Sequence, residues 1–489
     1  MLVPEISLTS QTVNRFVARF GADKIAVLHS KLSQTERYEE WMKVYNNKAK
    51  IVIGARSAIF APVNNLGIVI IDEEHDSSYK SESTPKFATR DIAKYYAKTA
   101  NCPLLLGSAT PNVNIFYEAI ENNNIAVLEL TKRANDSKLP NVEIIDLVEE
   151  KVNGNESMIS NKLKAEILKN IMDNKQTILF LNRRGFSTYV LCTDCGETVK
   201  CKNCNINLTY HQKDGTLRCH YCGLKRNVIY KCDSCNSSHI EFLGGGTQKI
   251  ELEINRLFPS ATTIRMDVDT ITANTSHEDI IEKFKEENIN ILIGTQMVAK
   301  GHHFPKVTLV GIILADSSLN IADFRANENT FQLLTQVAGR AGREGDEGRV
   351  IIQTYNPENA VIEFAKEQNY ENFYNAEINI RKMLKYPPFC DIIVVNLFSE
   401  NEIEVKNAIE FVYKTLIRLG IERKALIFKP QPSPIDKIKN KFRWRILIKT
   451  KFNNDMISLL EKVLKEFWSK NKLYKKTNIS IDVNPNNMS

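Results

Sequence analysis

Long hydrophobic runs are missing from this 489-residue sequence. Its longest apolar stretches, Leu66–Ile71 and Val307–Ala315, are shorter than ten residues, whereas a membrane-spanning helix needs about 18 apolar residues or more. The first residues also lack a basic segment followed by a long apolar one and a cleavage site of small residues. We therefore expect a cytoplasmic protein that makes no contact with a membrane.

A phosphate-binding loop is missing as well. The pattern G-x-x-x-x-G-K-[ST] occurs nowhere, and no glycine is followed by lysine. In many nucleotide hydrolases this loop supplies the backbone amides, the lysine and the magnesium ligand that hold a triphosphate. The sequence therefore contains no standard cradle for a nucleotide.

Internal repeats at a fixed period and low-complexity tracts are absent too. Hydrophobic residues make up 43% and charged residues 25% of the chain, the balance of an ordinary globular protein. Disorder, collagen and coiled coil are therefore excluded as the main architecture. At roughly 100–200 residues per domain, the length predicts three or four domains.

Positive charge is concentrated towards the C-terminus. Residues 391–489 contain 19 Lys and Arg against 11 Asp and Glu, a net charge of +8, whereas the whole chain carries +7. A basic segment on a nearly neutral body predicts a module that binds a polyanion. The alternative is a Lys-rich surface that serves solubility alone.

Eight of the ten cysteines lie within 44 residues as four C-x-x-C pairs. Such pairs are typical of tetrahedral zinc sites in a reducing compartment, and eight thiolates make two Cys₄ sites. The pairs are separated by 5, 14 and 9 residues, and the shortest interval leaves little chain to carry the first two pairs around one metal. We therefore predict nested sites. The outer site comprises Cys192, Cys195, Cys232 and Cys235, and the inner site comprises Cys201, Cys204, Cys219 and Cys222.

With four sulfur ligands each, these sites leave no open position for catalysis, so we expect the metal to fold a module too small for its own core. A redox function of the cysteine pairs is the competing interpretation.

Short apolar runs alternate with helical patterns on both sides of the cysteines, which predicts parallel α/β sheets with functional residues at the carboxyl ends of the strands. Arg90–Thr99 is one such helical pattern. We expect Thr177–Leu181 to be the first strand of the second lobe, which makes the cysteine segment an insertion. Tyr386-Pro387-Pro388-Phe389 cannot continue a helix and predicts a domain boundary. The other predicted strands are Lys50–Ile53, Leu66–Ile71, Pro103–Leu106, Ala261–Met266, Ile289–Ile293, Thr308–Ala315 and Arg349–Gln353.

Candidate catalytic residues follow two strands of the α/β lobe that precedes the cysteines. Others lie in the α/β lobe that follows them. Asp72-Glu73-Glu74-His75 follows the strand Leu66–Ile71, and Gly107-Ser108-Ala109-Thr110 follows the next strand. In the second lobe, Arg340 and Arg343 share one helical face and can both reach a phosphate. A solvated acidic turn and a surface arginine pair are the structural alternatives.

Taken together, these motifs resemble the superfamily-two helicases. The cysteine insertion narrows the resemblance to the bacterial replication-restart DNA helicases, the primosomal protein N-prime family, and the likeness covers the whole chain. The further matching segments are Val3–Thr9, Gly54–Pro62, Phe180–Gly185, Gly294–His302, Gln336–Arg343 and Trp444-Arg445.

The resemblance implies an α/β fold with two RecA-like parallel-sheet lobes, the first one incomplete, an inserted double-zinc ribbon and a C-terminal α+β domain. The implied domains are lobe 1 at 1–128, lobe 2 at 129–187 and 243–386, the zinc module at 188–242 and a basic DNA-binding domain at 387–489.

It also implies an ATP-driven 3′ to 5′ helicase that recognises stalled or repaired forks and helps to reload the replicative helicase. Asp72 and Glu73 would hold magnesium and orient water, and Arg340 and Arg343 would act as arginine fingers. His75 and Gln336 would line the nucleotide cleft. The implied cofactors are two Zn²⁺ per chain and ATP with Mg²⁺. The implied partners are forked and single-stranded DNA, single-stranded-DNA-binding protein, and other primosome proteins including the helicase-loading machinery.

Candidate DNA-binding residues combine cations with aromatic rings, which can neutralise phosphates and stack on bases. Alternatively, the aromatic loop packs its two rings onto the lobe and the C-terminal segment is a solvated β-hairpin. The candidates are Tyr79, Lys80, Lys86, Phe87 and Arg90 in an aromatic-rich loop, Gln296 and Lys300 in the second lobe, and Lys439, Lys441, Arg443 and Trp444 in the C-terminal region.

The sequence departs from the family at its start. In the family the phosphate loop and a DNA-binding region precede the segment that matches Leu2-Val3-Pro4, and Met1 would fall inside a strand, so we expect a shortened chain. Two hypotheses follow: a replication-restart helicase, or a catalytically inactive module that binds DNA and docks to the primosome. The third hypothesis is a nuclease that binds a catalytic metal with the Asp72–His75 cluster. This hypothesis leaves the arginine pair without a role.

Overall fold

A computed structural model describes the chain apart from residues 5, 31, 123–124, 131–138, 182–188, 203–206, 212–214, 220–222, 244–246, 267–276, 296–303, 343–346, 439, 471–473, 475 and 489. Among the helices so described, none has the length and apolar character needed to cross a membrane.

The described strands, in chain order, are β1 Ile25–Leu28, β2 Ile51–Gly54, β3 Val69–Ile71, β4 Leu104–Leu106, β5 Asn141–Asp146, β6 Gln176–Phe180, β7 Tyr189–Cys192, β8 Thr209–His211, β9 Thr216–Arg218, β10 Lys225–Asn227, β11 Ile240–Leu243, β12 Thr263–Met266, β13 Ile291–Gly294, β14 Val307–Ile312, β15 Arg349–Thr354, β16 Asp391–Ser399, β17 Leu426–Ile427, β18 Gln431–Ile438, β19 Lys441–Thr450 and β20 Asn478–Val483.

The described α-helices are α1 Ile6–Phe20, α2 Gln34–Tyr45, α3 Thr89–Thr99, α4 Val113–Asn122, α5 Leu147–Val152, α6 Asn161–Met172, α7 Thr247–Leu257, α8 His277–Glu286, α9 Asp316–Leu319, α10 Ala326–Ala338, α11 Ala360–Glu367, α12 Tyr370–Leu384, α13 Glu402–Arg418 and α14 Asn454–Ser469.

The first lobe is built on parallel strands, as the sequence predicts. β1 pairs with β2, and β3 pairs with β4. Leu2 forms parallel bridges with both Gly54 and Ile71, so it joins the two strand pairs at the centre of the sheet. This sheet brings the end of β3, where Asp72 begins, beside the end of β4, where Gly107 begins.

The second lobe contains a six-stranded, wholly parallel sheet in the order β12-β13-β6-β14-β15-β5. The predicted strands after the cysteines all appear, with ends shifted by three residues or fewer. One expectation is wrong: the first strand of this lobe is β5 at the edge of the sheet, and β6 comes second. Edge strand β5 carries exposed Asn141 and Glu143 beside buried Val142, so it lacks the continuous apolar run of a central parallel strand.

The cysteine segment forms a separate antiparallel sheet, β10-β9-β8-β7-β11, inserted between β6 and α7. Its apolar residues do not form an independent core. They share one hydrophobic cluster with the lobe 2 residues Phe324 and Tyr386 and with residues of the C-terminal region. The members contributed by the cysteine segment are Val190, Val199, Cys201, Leu208, Leu217 and Cys219, and those of the C-terminal region are Ile392, Val394, Leu447 and Met488.

The C-terminal region is an antiparallel sheet, β17-β19-β16-β20, with β18 paired to β19. Helices α13 and α14 bury their apolar faces together with this sheet, around residues such as Val405 and Val463. This is the α+β arrangement that the resemblance implies.

A buried carboxyl in lobe 2 predicts a pH-dependent stability. Asp316 is 2% exposed, and its oxygens accept hydrogen bonds from Thr354 Oγ1 and the Tyr355 amide, both at 3.0 Å. Burial raises the pKa of Asp316 to about 6, although these bonds favour the charged form. The folded state therefore binds the proton more tightly than the unfolded state, so this group's contribution to stability is present below about pH 4 and is lost as the pH rises to about 6.

We expect Asp316→Asn to remove this pH dependence. The Asn amide can still accept from Tyr355 and donate to Thr354, without a buried charge. The difference in unfolding free energy between variant and wild type should grow by up to about 3 kcal/mol in favour of the variant between pH 4 and pH 7. Urea unfolding at both pH values measures it, and a difference that does not change with pH contradicts the assignment.

Candidate functional site

The carboxylate loop Asp72–His75 leaves the carboxyl end of β3 in a constrained conformation. β3 is buried at Val69 and Ile71, which anchors the loop. Glu73 adopts φ +46°, a left-handed conformation that is uncommon for a residue with a β-carbon and concentrates at functional sites. The amide of Glu73 donates to Asp72 Oδ1 at 3.1 Å, while the Asp72 side chain is exposed to solvent.

Glu73 lies in a partly buried position between charges of both signs. Burial raises the pKa of Glu73, and the positive charge of Arg340 acts in the opposite direction. Arg340 comes from the second lobe and is 9% exposed. The carboxylate of the first lobe and an arginine of the second are therefore close enough to interact electrostatically.

His75 connects the two lobes directly. Its Nδ1 lies 2.6 Å from Ser108 Oγ, and its Nε2 lies 2.7 Å from Gln336 Nε2. The Gln amide donates to Nε2, so the imidazole proton sits on Nδ1 and points to Ser108. Glu73 Oε2 is 3.7 Å from Nδ1. One imidazole thus contacts three of the motifs that the sequence singled out.

Glu74 has a structural role that sequence reasoning did not assign. It is 2% exposed, and its carboxylate accepts from Arg90 at 2.9 Å and from the Asn112 amide at 2.6 Å. Arg90, which we predicted to contact DNA, forms an ion pair with this buried carboxylate, and its side chain is 26% exposed. The motif letters alone cannot indicate which of two neighbouring glutamates points inward.

Helix α10 of the second lobe presents three polar side chains to residues between His75 and Val113. Gln336 reaches His75, Gln332 Nε2 donates to Thr110 O at 3.4 Å, and Glu328 accepts from the amide of Val113 at 2.8 Å. Sequence analysis predicted Gln336 and missed the other two. The signal was present, because residues 328, 332 and 336 are spaced by four and share one helical face.

Three of the predicted residues of the second lobe, Arg343, Gln296 and Lys300, lie outside the described residues. The segments Asn182–Gly185 and Gly244–Gly246 do so as well. Of the predicted lobe 2 residues, the structure therefore describes Gln336 and Arg340. Arg340 lies in a turn beyond the end of α10 at Ala338, so the expectation that it lies on a helical face is wrong.

The two rings of the aromatic-rich loop pack inward, as the structural alternative expected. Tyr79 is 2% exposed, and its hydroxyl donates to Asp72 O at 2.7 Å. Phe87 packs edge-on against Phe60, with ring centroids 5.1 Å apart. Arg56 donates to the Ser78 and Lys80 carbonyls. In this arrangement Tyr79 has no free face for a base, because the ring belongs to the lobe's core.

The two lysines of the same loop are paired with the C-terminal region. Lys86 Nζ lies 2.8 Å from Asp482 Oδ2, and Lys80 Nζ lies 3.3 Å from Asp482 Oδ1. Lys80 also donates to Val483 O at 2.7 Å. The loop therefore joins the first lobe to strand β20, and the carboxylate of Asp482 lies between the two lysines.

The basic C-terminal segment forms the β18–β19 hairpin. Lys441 lies 5.7 Å from the Phe398 ring, and the Trp444 ring has Lys406 over it at 5.5 Å. Arg443 is half-buried, and this burial lowers its pKa below the usual range. Lys439 is not among the described residues. The hairpin is thus more closely packed than a solvated one, and its aromatic faces are partly covered by cations.

The four cysteines of the predicted outer site converge. Their sulfur atoms all lie within 4.8 Å of one another. The Cys192–Cys235 and Cys195–Cys232 sulfur separations are both 3.6 Å, too long for a disulfide at about 2.05 Å and close to the roughly 3.8 Å expected across a tetrahedral zinc with Zn–S bonds of about 2.3 Å. The chemistry and spacing of these donors fit zinc.

The inner set is only partly described. Cys201 and Cys219 are buried, 1% exposed each, in the same hydrophobic cluster. Cys204 and Cys222 lie outside the described residues. The pairing of these four cysteines therefore stays a prediction.

Comparison with protein families identifies four matching segments. Residues 1–116 match the DEAD/DEAH box helicase family, and 225–345 match the helicase conserved C-terminal domain. Residues 201–226 match the Cys-rich region domain of the PriA DNA helicase, and 382–486 match the primosomal protein N C-terminal domain.

Curated relatives match over nearly the whole chain. The replication restart protein PriA of Bacillus subtilis (strain 168) is 45% identical over 99% of the chain, which spans 60% of that relative. The PriA of Rickettsia felis is 36% identical over 99% of the chain, which spans 73% of that relative. Among solved structures, RecG bound to a three-way DNA junction is 14% identical, with a TM-score of 0.44 over 77% of this chain and 39% of RecG. The two helicase segments, the cysteine-rich region, the C-terminal domain and the identity to full-length relatives establish that the chain belongs to the PriA family of replication restart proteins.

Proposed function

We propose that this chain is the motor and fork-binding part of an ATP-dependent 3′ to 5′ DNA helicase that restarts replication at stalled or repaired forks. The chain spans 60% of the B. subtilis PriA, so the activity belongs to the whole protein of this family. The observation that carries the proposal is the 2.7 Å contact between His75 of the first lobe and Gln336 of the second.

The charges around this contact suit the hydrolysis of a phosphoanhydride. Asp72, whose side chain is exposed at the end of β3, offers a hard oxygen ligand of the kind that magnesium prefers. Bound magnesium supplies charge neutralisation at the phosphates. Glu73 holds and orients the attacking water, and its raised pKa favours proton uptake. Arg340, together with Arg343 three residues later in the sequence, stabilises negative charge that develops in the transition state.

DNA binding is assigned to the cationic side chains that remain partly accessible. Lys86 and Lys80 are 20% and 14% exposed at the junction of the first lobe with β20, and Lys441 and Arg443 lie on the hairpin. Forked and single-stranded DNA are the proposed ligands. Single-stranded-DNA-binding protein and the proteins that load the replicative helicase are the proposed partners.

The zinc module is proposed to be structural and to hold two zinc ions. Cys192, Cys195, Cys232 and Cys235 would form the outer site. All ligand positions would be sulfur, so the metal takes no part in hydrolysis. Its contribution is to order the inserted sheet, whose apolar residues complete a core shared with the C-terminal domain.

The test is the rate of ATP hydrolysis by the 489-residue chain with and without forked DNA. We expect DNA-stimulated turnover in the wild type and a loss of about 100-fold or more in Glu73→Gln, because the amide cannot accept a proton from water. Glu149→Gln, the same change at an exposed position on α5, is the control and should keep full turnover.

A second candidate function follows from the missing G-x-x-x-x-G-K-[ST] loop. The chain would then bind forks and dock to primosome proteins without hydrolysing ATP. Absence of turnover in the wild type together with retained fork binding would support this candidate and contradict the first.

A further inference from the structure

Helix α4 follows the first lobe's strand β4 in sequence, yet it packs into the second lobe. Val113, at its first turn, is fully buried in the hydrophobic cluster of the six-stranded sheet. The Phe116 ring makes edge contacts with Tyr370 and Tyr374 of α12, at centroid distances of 5.1 and 4.7 Å. Towards the first lobe, α4 offers an ion pair between Glu118 and Lys94, each about one third exposed. By burial, α4 is part of the second lobe.

Glu328 of α10 holds the start of α4. One of its oxygens accepts from the Val113 amide at 2.8 Å and from the Asn112 side chain at 3.0 Å. The first amides of a helix have no partner within the helix and carry partial positive charge, so a carboxylate at this position is a strong acceptor. The other oxygen accepts from Arg381 at 2.8 Å.

Arg381 of α12 keeps this carboxylate charged inside the protein. The guanidinium is 1% exposed and also bonds Glu377 at 2.8 Å and Asn114 of α4 at 3.1 Å. Burial alone would raise the pKa of Glu328, but Arg381 holds it below its usual range. The negative charge that binds α4 is therefore present at neutral pH.

The segment Gly107–Asn112 consequently connects the two lobes. At its beginning, the Gly107 amide donates to Ile71 O, and the Glu74 amide donates to Gly107 O, both at 2.9 Å. At its end, the Asn112 amide binds Glu74 of the first lobe while its side chain binds Glu328 of the second. Ser108, which contacts His75, lies between these anchors. The segment is therefore hydrogen-bonded to both lobes.

We propose that Glu328, hydrogen-bonded to Arg381, is a positioning residue that fixes α4 to the second lobe. Through the Gly107–Asn112 segment it aligns Ser108 and His75 with Gln336. This deepens the proposed function, on which it rests, because it names the link that transmits lobe movement to the carboxylate loop.

The test compares Glu328→Gln with Glu377→Gln in the full chain by hydrogen–deuterium exchange without nucleotide. Both carboxylates are 2% exposed, and both bond Arg381, but the other oxygen of Glu377 accepts its hydrogen bond from Asn327, within the second lobe. An amide in place of Glu328 has one acceptor and one donor, so it cannot serve both Arg381 and Val113.

In Glu328→Gln we expect exchange about tenfold faster in peptides covering 104–116 and 70–80, with the strands β12–β15 unchanged. Glu377→Gln should leave both peptides as in the wild type, even if its unfolding midpoint falls as much. Equal effects of the two variants, or unchanged exchange in Glu328→Gln, would overturn the proposal.

If hydrogen exchange in Glu328→Gln is faster in all parts of the chain, Glu328→Asp is tested in its place. The aspartate keeps the negative charge, but its side chain is one methylene too short to reach both Arg381 and Val113. Faster exchange confined to the two peptides supports the proposal, and uniform exchange overturns it. Since no nucleotide is present, the result is independent of whether the chain hydrolyses ATP. If the chain does not hydrolyse ATP, faster exchange in the variant still supports the positioning role of Glu328. If the chain hydrolyses ATP but exchange in the variant is unchanged, only the positioning role is contradicted.

Discussion

Arg381→Met should lower the free energy of unfolding at neutral pH by about 3–5 kcal/mol. Met fills similar space but leaves Glu328 and Glu377, both 2% exposed, without the cation that neutralises them. Removal of one partner from a buried ion pair is far more damaging than the net contribution of the pair itself, because an uncompensated charge stays in a medium of low polarity. Chemical denaturation of the full chain measures the change.

The pH dependence of the Arg381 variant gives a second signature. Without Arg381, burial should raise the pKa of Glu328 above its unfolded value instead of leaving it lowered. The folded variant then binds a proton that the unfolded chain releases, so its stability recovers as the pH falls through the raised pKa. In the wild type the pH dependence at Glu328 is the opposite. Its lowered pKa stabilises the fold at neutral pH, and this contribution is lost as the pH falls through the folded-state pKa.

Arg418→Met is the matched control for this prediction. Arg418 is 60% exposed and pairs with Glu466, which is 38% exposed. Exposed pairs are screened by water and contribute about 0–1 kcal/mol. A loss in Arg381→Met no greater than in this control would mean that the buried carboxylates are not ionised together with the arginine, and the electrostatic account of the α4 anchor would fail.

Removal of zinc should unfold the inserted sheet and expose part of the C-terminal domain. Structural zinc contributes an apparent binding free energy of about 10–16 kcal/mol in small zinc-binding peptides, which is comparable to the whole stability of a typical domain. The hydrophobic cluster joins Leu208 and Leu217 of the sheet to Ile392 and Leu447 of the C-terminal domain. We therefore expect chelation to increase hydrogen exchange in β16 and β19 as well as in β7–β11.

Metal analysis tests the number of zinc ions. The wild type should contain two zinc per chain and Cys232→Ala one, because that change leaves the outer site with three sulfurs. Cys390→Ala is the control, since its half-buried thiol donates to Lys385 O at 3.1 Å outside the cysteine-rich sheet, and it should retain two. Clearly fewer than two zinc in the wild type, or two in Cys232→Ala, would contradict the nested sites.

Local patterns in the sequence were sufficient for most strands of the parallel sheets in the two lobes. Central parallel strands such as β13 and β14 are buried on both faces, so they are continuous apolar runs bounded by polar residues. Strand β5 escaped prediction because an edge strand needs no such run. Tyr79 was assigned to DNA binding because a sequence does not show which side of a loop faces the core.

The sequence by itself determined the family, the α/β class, the inserted position of the cysteine segment and the identity of the carboxylate loop, because each depends on residues close together in the chain. Only the tertiary structure decided that Asp482 pairs with Lys80 and Lys86, that Glu74 neutralises Arg90, and that α4 belongs by packing to the second lobe. These contacts join residues from 16 positions apart, for Glu74 and Arg90, to 402 positions apart, for Lys80 and Asp482. Their formation depends on which apolar surfaces pack together, and a local sequence pattern does not predict which surfaces those are.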